Sequence, residues 1–233
     1  MLQEHHADGV TTLTLARPDR DNALAADLVE ALLAAVRGCI ADGRSHSLVL
    51  RAEGRHFCTG LDLSDLDHTS DGELLHRLVR IETLLATLWH APIRTVAVAQ
   101  GRTWGAGADL FAVCEQRLLA EGSTLRFPGA QFGIVLGTRR LAERVGADTA
   151  RSLVTEGREL TAPQALSLGL ATAIGDHPEL APPVVDAATA AALRRATRTD
   201  HGDADLAALV RSAAQPGLRE RIRAYRARQL AAR

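Results

Sequence analysis

The chain has 233 residues, 46% of them apolar and 24% charged, with a formal net charge of -1. That size and balance point to a soluble globular protein of one sizeable domain, or one domain with a helical extension. They provide no basic excess for nucleic acid or an anionic membrane surface.

The Lys/Arg-type basic residues are all arginine and no lysine occurs, which rules out a Schiff-base lysine and leaves any phosphate to arginine, histidine or backbone N–H groups. Cys39, Cys58 and Cys114 lie far apart, without metal-ligand spacing, so no metal site is expected. With no secretory h-region and no apolar run long enough to span a bilayer, the pattern is that of a cytoplasmic protein.

Val10–Leu15 is short, β-branched and apolar, and stops at Arg17-Pro18-Asp19, which reads as a strand and a turn. Asp21 or Asn22 is placed to cap a following helix, in which Leu24, Leu28, Leu32, Val36 and Ile40 recur at helical spacing. Gly43 ends it, and residues 47–50 form a second strand. Residues 63–70 are polar and acidic and read as a mobile loop. Asp71 then caps a long helix to Trp89, which Pro92 separates from a third strand, residues 95–99. Residues 108–114 suit a short buried helix, and 117–120 and 124–127 suit strands. From Thr138 onward the pattern is mainly helical: Thr138–Val145, residues 148–155, and residues 162–168 capped by Thr161, with one more strand at 171–174.

Pro182-Pro183 marks a boundary, so residues 1–181 are expected to form the core and 182–233 a helical C-terminal region, with helices near 184–197, 204–214 and 218–231. The tail arginines Arg219, Arg221, Arg223, Arg226, Arg228 and Arg233 read as a solvated helix face. Strands alternating with crossover helices imply an α/β core with a largely parallel sheet.

Two glycine turns follow two of these strands. The first is Phe57-Cys58-Thr59-Gly60-Leu61-Asp62-Leu63; the second runs from Gln100-Gly101 through Trp104-Gly105-Ala106-Gly107-Ala108-Asp109-Leu110. Turns at the carboxyl ends of neighbouring buried strands can aim two backbone N–H groups at one oxygen, the geometry of an oxyanion hole.

The segment Gly9-Val10-Thr11-Thr12-Leu13-Thr14-Leu15-Ala16-Arg17-Pro18 through Asp21-Asn22-Ala23-Leu24, the two glycine turns, and the run Gly157-Arg158-Glu159-Leu160-Thr161-Ala162 stand in one colinear order. Together they resemble the enoyl-CoA hydratase/isomerase (crotonase) family over about residues 9–175. The resemblance implies a spiral of β-β-α units with a helical C-terminal trimerisation region, and a homotrimer or a dimer of trimers. It also implies an acyl-CoA or acyl-carrier thioester as substrate, coenzyme A entering as part of that substrate and no separate cofactor being required. Carried over by position, the N–H groups of Leu61 and Ala106 would hold the thioester oxygen. Arg20, Ala23, Gly60, Asp62, Gly105, Trp104 and Gln131 are the candidate substrate contacts. Arg20 or a C-terminal arginine of a neighbouring subunit would meet a phosphate. Asp62 has a simpler reading as the acceptor that fixes its turn.

Hydratases of the family use two glutamates. Asp109 stands at the first position, one methylene shorter, whereas the window Phe127-Pro128-Gly129-Ala130-Gln131 offers no second carboxylate. Gln131 can hydrogen-bond but cannot shuttle a proton at neutral pH. One carboxylate suffices for a one-base isomerisation, or decarboxylation could use the oxyanion hole and a water-derived proton, and two-acid hydration is disfavoured. A chain that binds acyl thioesters without turning them over is the competing reading. A serine peptidase is disfavoured because no serine occupies the second glycine turn.

Overall fold

The computed structural model describes residues 1–231. It opens with a hairpin absent from the expected elements: β1 (Leu2–Ala7) pairs antiparallel with β2 (Val10–Leu15). Asp8 and Gly9 turn it, both at positive φ, as Asp-Gly does in tight hairpins. The chain continues through α1 (Ala26–Asp42), β3 (Ser47–Ala52), α2 (Asp71–Trp89), β4 (Arg94–Ala99), β5 (Arg102–Trp104), α3 (Ala106–Ala112), β6 (Gln116–Leu119) and β7 (Thr124–Arg126). Then come α4 (Thr138–Val145), α5 (Ala147–Glu156), β8 (Leu160–Thr161), α6 (Ala162–Ser167), β9 (Ala173–Ile174), α7 (Ala187–Thr197), α8 (Gly202–Ala213) and α9 (Leu218–Ala231).

The strands form a six-stranded sheet in the order β1-β2-β3-β4-β6-β9, parallel from β2 onward, and a second, three-stranded sheet β5-β7-β8. β5 and β7 pair in parallel, and β7 and β8 are antiparallel. The main core fills the space between the large sheet and the helices, with Leu28, Leu32, Val36, Leu85, Leu88, Leu110 and Phe111 among its buried members. A smaller apolar cluster joins Leu74 and Leu78 of α2 to Leu209 of α8 and to Leu218 and Ile222 of α9. Through it the C-terminal helices pack onto the core.

Two capping expectations are corrected. Neither Asp21 nor Asn22 caps α1, which begins at Ala26 without a side-chain cap. Asn22 is instead buried; its Oδ1 accepts from the Arg17 N–H, and its Nδ2 donates to the carbonyls of Glu53 and His56. Such a residue can satisfy three loop groups at once because its amide both donates and accepts. The cap of α2 is Ser70, in a capping box with Glu73, while Asp71 accepts from the N–H groups of Leu218 and Arg219 and so caps α9 from across the fold.

Residues 63–70 contain a short 3-10 turn with Leu66 buried, tied down by Arg77 on Asp65 (2.8 and 2.6 Å) and by Arg223 on Asp67. The α9 arginines are not all solvated. The Arg221 guanidinium donates to the carbonyls of Phe132, Ala213 and Gln215; Arg233 lies outside the described residues. No helix of the described residues is long and apolar enough to cross a membrane.

Candidate active site

The two glycine turns meet. The Trp104 N–H donates to the Cys58 carbonyl at 2.9 Å, and the Leu24 N–H donates to the Gly60 carbonyl at 2.7 Å. The 17–24 segment is thereby strapped beside the first turn. Gly60 and Gly105 sit at φ +94° and +56°, and they face each other so closely that a Cβ on Gly60 would lie 3.2 Å from the Ala106 nitrogen. The N–H groups of Leu61 and Ala106 donate to no backbone or side-chain acceptor among the described residues. Ala106 opens α3, so its own N–H has no carbonyl within the helix to bond.

Both turns open onto a cavity of about 130 Å³, lined by Gly60, Leu61, Trp104, Gly105, Ala106 and Asp109. Its far walls are Phe127, Phe132, Ile134, Leu136 and Val154, with Ile222 and Tyr225 contributed by α9. Asp109 is its single carboxylate among the described residues, and no arginine or histidine lines it. The Asp109 side chain projects from the first turn of α3 and makes no hydrogen bond among the described residues; it is 7% exposed. Burial foremost, and the nearby Glu82 carboxylate next, push its acid well above the ordinary carboxylate range, with Arg140 acting in the opposite direction.

The remaining candidates divide. Trp104 lines the cavity; its indole N–H donates to the Thr124 hydroxyl at 3.1 Å, and the Arg102 guanidinium stacks on its ring, 4.8 Å from the centroid. Asp62 does the turn-fixing work. Burial would raise its acid, but the Ser64 N–H and Arg17 outweigh that and hold it low. Ala23 packs in the adjoining strap, where its carbonyl accepts from Arg17, and Arg20 is exposed beside Asp19; neither reaches the cavity wall. Gln131 is outside the cavity as well. Its Nε2 donates to the Glu156 carbonyl and rests on Gly157.

His56 backs the second turn by accepting from the Arg102 N–H, and burial lowers its imidazole below the usual value. Burial pushes the Cys58 and Cys114 thiols up to about 12, so they are inert packing groups. Glu115 is held by Arg194 and Arg198. Among the described residues no cluster of His, Cys, Asp or Glu could hold a metal.

Several site residues escaped the sequence reading. Gly137 lies against the Asp109 carboxyl, and the available signal was a glycine directly before the α4 pattern. Ile222 and Tyr225 close the cavity from α9, with Tyr225 against Phe132 at 5.1 Å between ring centroids. Their signal was an apolar stripe at 218, 222 and 225 within an otherwise arginine-rich helix.

A family model described as enoyl-CoA hydratase/isomerase matches residues 5–216. The Mycobacterium bovis protein named "Probable enoyl-CoA hydratase echA6" is 34% identical over 178 residues, which is 75% of this chain and 71% of that one. Mouse ethylmalonyl-CoA decarboxylase is 30% identical over 167 residues, covering 70% of this chain and 52% of its own. A crystal structure of a Bordetella parapertussis protein assigned as an enoyl-CoA hydratase/isomerase superposes with a TM-score of 0.92 at 42% identity, covering 96% of this chain and 97% of that one.

Proposed function

The chain belongs to the enoyl-CoA hydratase/isomerase family and has its crotonase-like fold, and from that premise we propose that it moves a double bond within an uncharged acyl thioester through an enolate. The reading rests on one observation: a single buried carboxylate, Asp109, shares a largely apolar cavity with two N–H groups that have no partner among the described residues.

The thioester oxygen sits between the Leu61 and Ala106 N–H groups. Asp109, ionised, takes a proton from the carbon next to the thioester carbonyl of a 3-enoyl chain. The C–H electron pair moves into the enolate, whose oxygen the two donors stabilise. The same proton then returns to the chain at its fourth carbon, the double bond shifts from 3,4 to 2,3, and Asp109 is ionised again. A carboxyl raised above its usual range is a stronger base toward a weakly acidic C–H. Loss of one oxyanion donor in such a hole costs about a hundred- to a thousand-fold.

Hydration would require a second acid to activate water, and the Gln131 window does not supply one to the cavity. The lining also argues against an acyl group that carries its own carboxylate, because no cation among the described residues faces it; this sets the chain apart from the decarboxylase chemistry in the name of the mouse relative. The substrate carrier is coenzyme A or an acyl-carrier protein and the assembly a homotrimer or dimer of trimers, as the family resemblance implied, and the location is the cytoplasm, as the sequence pattern suggested.

The test is to incubate the protein with 3-enoyl-CoA and crotonyl-CoA thioesters and to follow isomerisation and hydration separately. Isomerisation lost in Asp109→Ala supports the reading. Tight binding of thioesters without turnover of any would replace it with a non-catalytic, assisting subunit.

A further inference from the structure

Behind Asp109, helices α2, α4 and α8 meet in an ion-pair network that the proton transfer itself does not use. The Arg140 and Glu82 side chains are 1% and 3% exposed. The guanidinium forks onto the carboxylate, Nη2 donating to Oε1 at 2.5 Å and Nη1 to Oε2 at 3.1 Å. Arg140 Nη2 also lies 3.2 Å from Asp205 Oδ2, and Arg139 forks onto the same Asp205 at 2.9 and 2.6 Å. The Arg140 Nε is buried without a partner among the described residues.

Replacing a buried ion pair by well-packed apolar groups is often neutral or stabilising. Fold stability alone therefore does not account for this one. Its location does. Asp109 lies on α3, which packs against both α2 and α4. Arg140 stands one turn beyond Gly137, the residue on which the Asp109 carboxyl rests.

We infer that Glu82 and Arg140 are positioning residues for Asp109: the pair anchors the start of α4 so that Gly137 stays against the carboxyl, and it presents to Asp109 two charges of opposite sign. The charged and titratable groups facing Asp109 are then Glu82 from α2, Arg140 from α4, Asp205 from α8 acting through Arg140, and the Tyr225 phenol of α9 across the cavity. Glu82 disfavours ionisation of Asp109 and Arg140 favours it. Neutralising either carboxylate leaves Arg140 less balanced and eases that ionisation. The inference takes its catalytic meaning from the reading of Asp109 as the proton carrier, but its test needs no turnover.

The experiment compares unfolding midpoints of the full chain and its Asp109→Asn variant across pH, in the native background and in Glu82→Gln. The advantage of the asparagine grows as pH rises through the unfolded carboxyl range and stops growing where folded Asp109 has ionised. In Glu82→Gln that levelling point falls by roughly one pH unit, the scale on which one nearby charge acts. In Asp205→Asn it falls by less, in the same direction. A merely structural pair would lower every midpoint and leave the levelling point in place. An unmoved levelling point in folded Glu82→Gln overturns the inference; should that variant fail to fold, an unmoved point in Asp205→Asn does so. A shifted point in a protein that turns over no thioester would leave this inference standing and defeat the isomerase reading instead.

Discussion

Asp109 and Gly137 are in contact across two helices: a Cβ built on Gly137 would stand 2.2 Å from Asp109 Oδ1, and Gly137 itself sits at φ +64°. Space and backbone conformation both require glycine there. Gly137→Ala is therefore expected to push the carboxyl off its position. Turnover of a 3-enoyl thioester should fall at least about a hundred-fold, since a displacement near 1 Å costs that much in a positioned reaction. Thioester affinity, measured by calorimetry, should change far less. Unchanged kcat would show that the carboxyl has other productive positions.

The buried Asp109 acid makes a prediction about stability as well as chemistry. Its folded-state pKa is raised, by burial first and Glu82 second. The stability it contributes is thus complete below the unfolded carboxyl range and is lost as pH rises toward the folded value. Asp109→Asn keeps the shape and cannot ionise. At neutral pH it should melt a few degrees higher than the native chain, with the gap closing in acid, while isomerisation disappears. A lower melting point at neutral pH, read by calorimetry, would mean that the ionised carboxyl has a stabilising partner. Activity should rise with pH as Asp109 ionises, because the base form takes the first proton.

Much of this site could be read from the chain because its parts are local. Each glycine turn directly follows its strand, and Asp109 is three residues past Ala106, so sequence spacing alone brings donor and carboxylate together. What was not legible is tertiary. Glu82 lies on the same apolar helical stripe as Leu78 and Leu85, a misplaced acid whose meaning depends on Arg140 from a helix 58 residues away. Asp71 has the composition of a local cap, yet it serves α9 from across the fold because Ser70 already caps α2. The β1–β2 hairpin was missed for a different reason. Gln3, Glu4, His5 and His6 make an exposed edge strand with no apolar alternation, and only the Asp8-Gly9 turn announces it.

The Ala106 N–H can be removed with little harm to the helix. Ala106 is the first residue of α3, after Gly105, and proline is tolerated at that helical position because its missing N–H has no intrahelical partner there. Ala106→Pro deletes one of the two proposed donors and places its ring where the oxygen would sit. A circular dichroism spectrum like that of the native chain, with isomerisation lowered about a hundred- to a thousand-fold, is the expected result. Full activity in a folded Ala106→Pro protein would move the oxyanion site elsewhere.

Arg221 decides how firmly α9 closes the cavity. Its guanidinium donates to the carbonyls of Phe132 at 2.9 Å, Ala213 at 3.2 Å and Gln215 at 2.9 Å, and so joins α9 to the segment that carries Phe132 and to the end of α8. Immediately after this anchor and one turn further along α9, Ile222 and Tyr225 form part of the cavity wall. Arg221→Ala strands those carbonyls and should cost roughly 2 kcal/mol, lowering the melting temperature by about 5 °C in a chain of this size. The two glycine turns and Asp109 lie on other elements and keep their geometry. KM for an acyl thioester should therefore rise severalfold, while kcat at saturation changes by less than about threefold, since only uniform binding is lost. A fall in kcat with KM unchanged would instead make α9 part of the chemical step, with Tyr225 the residue to examine.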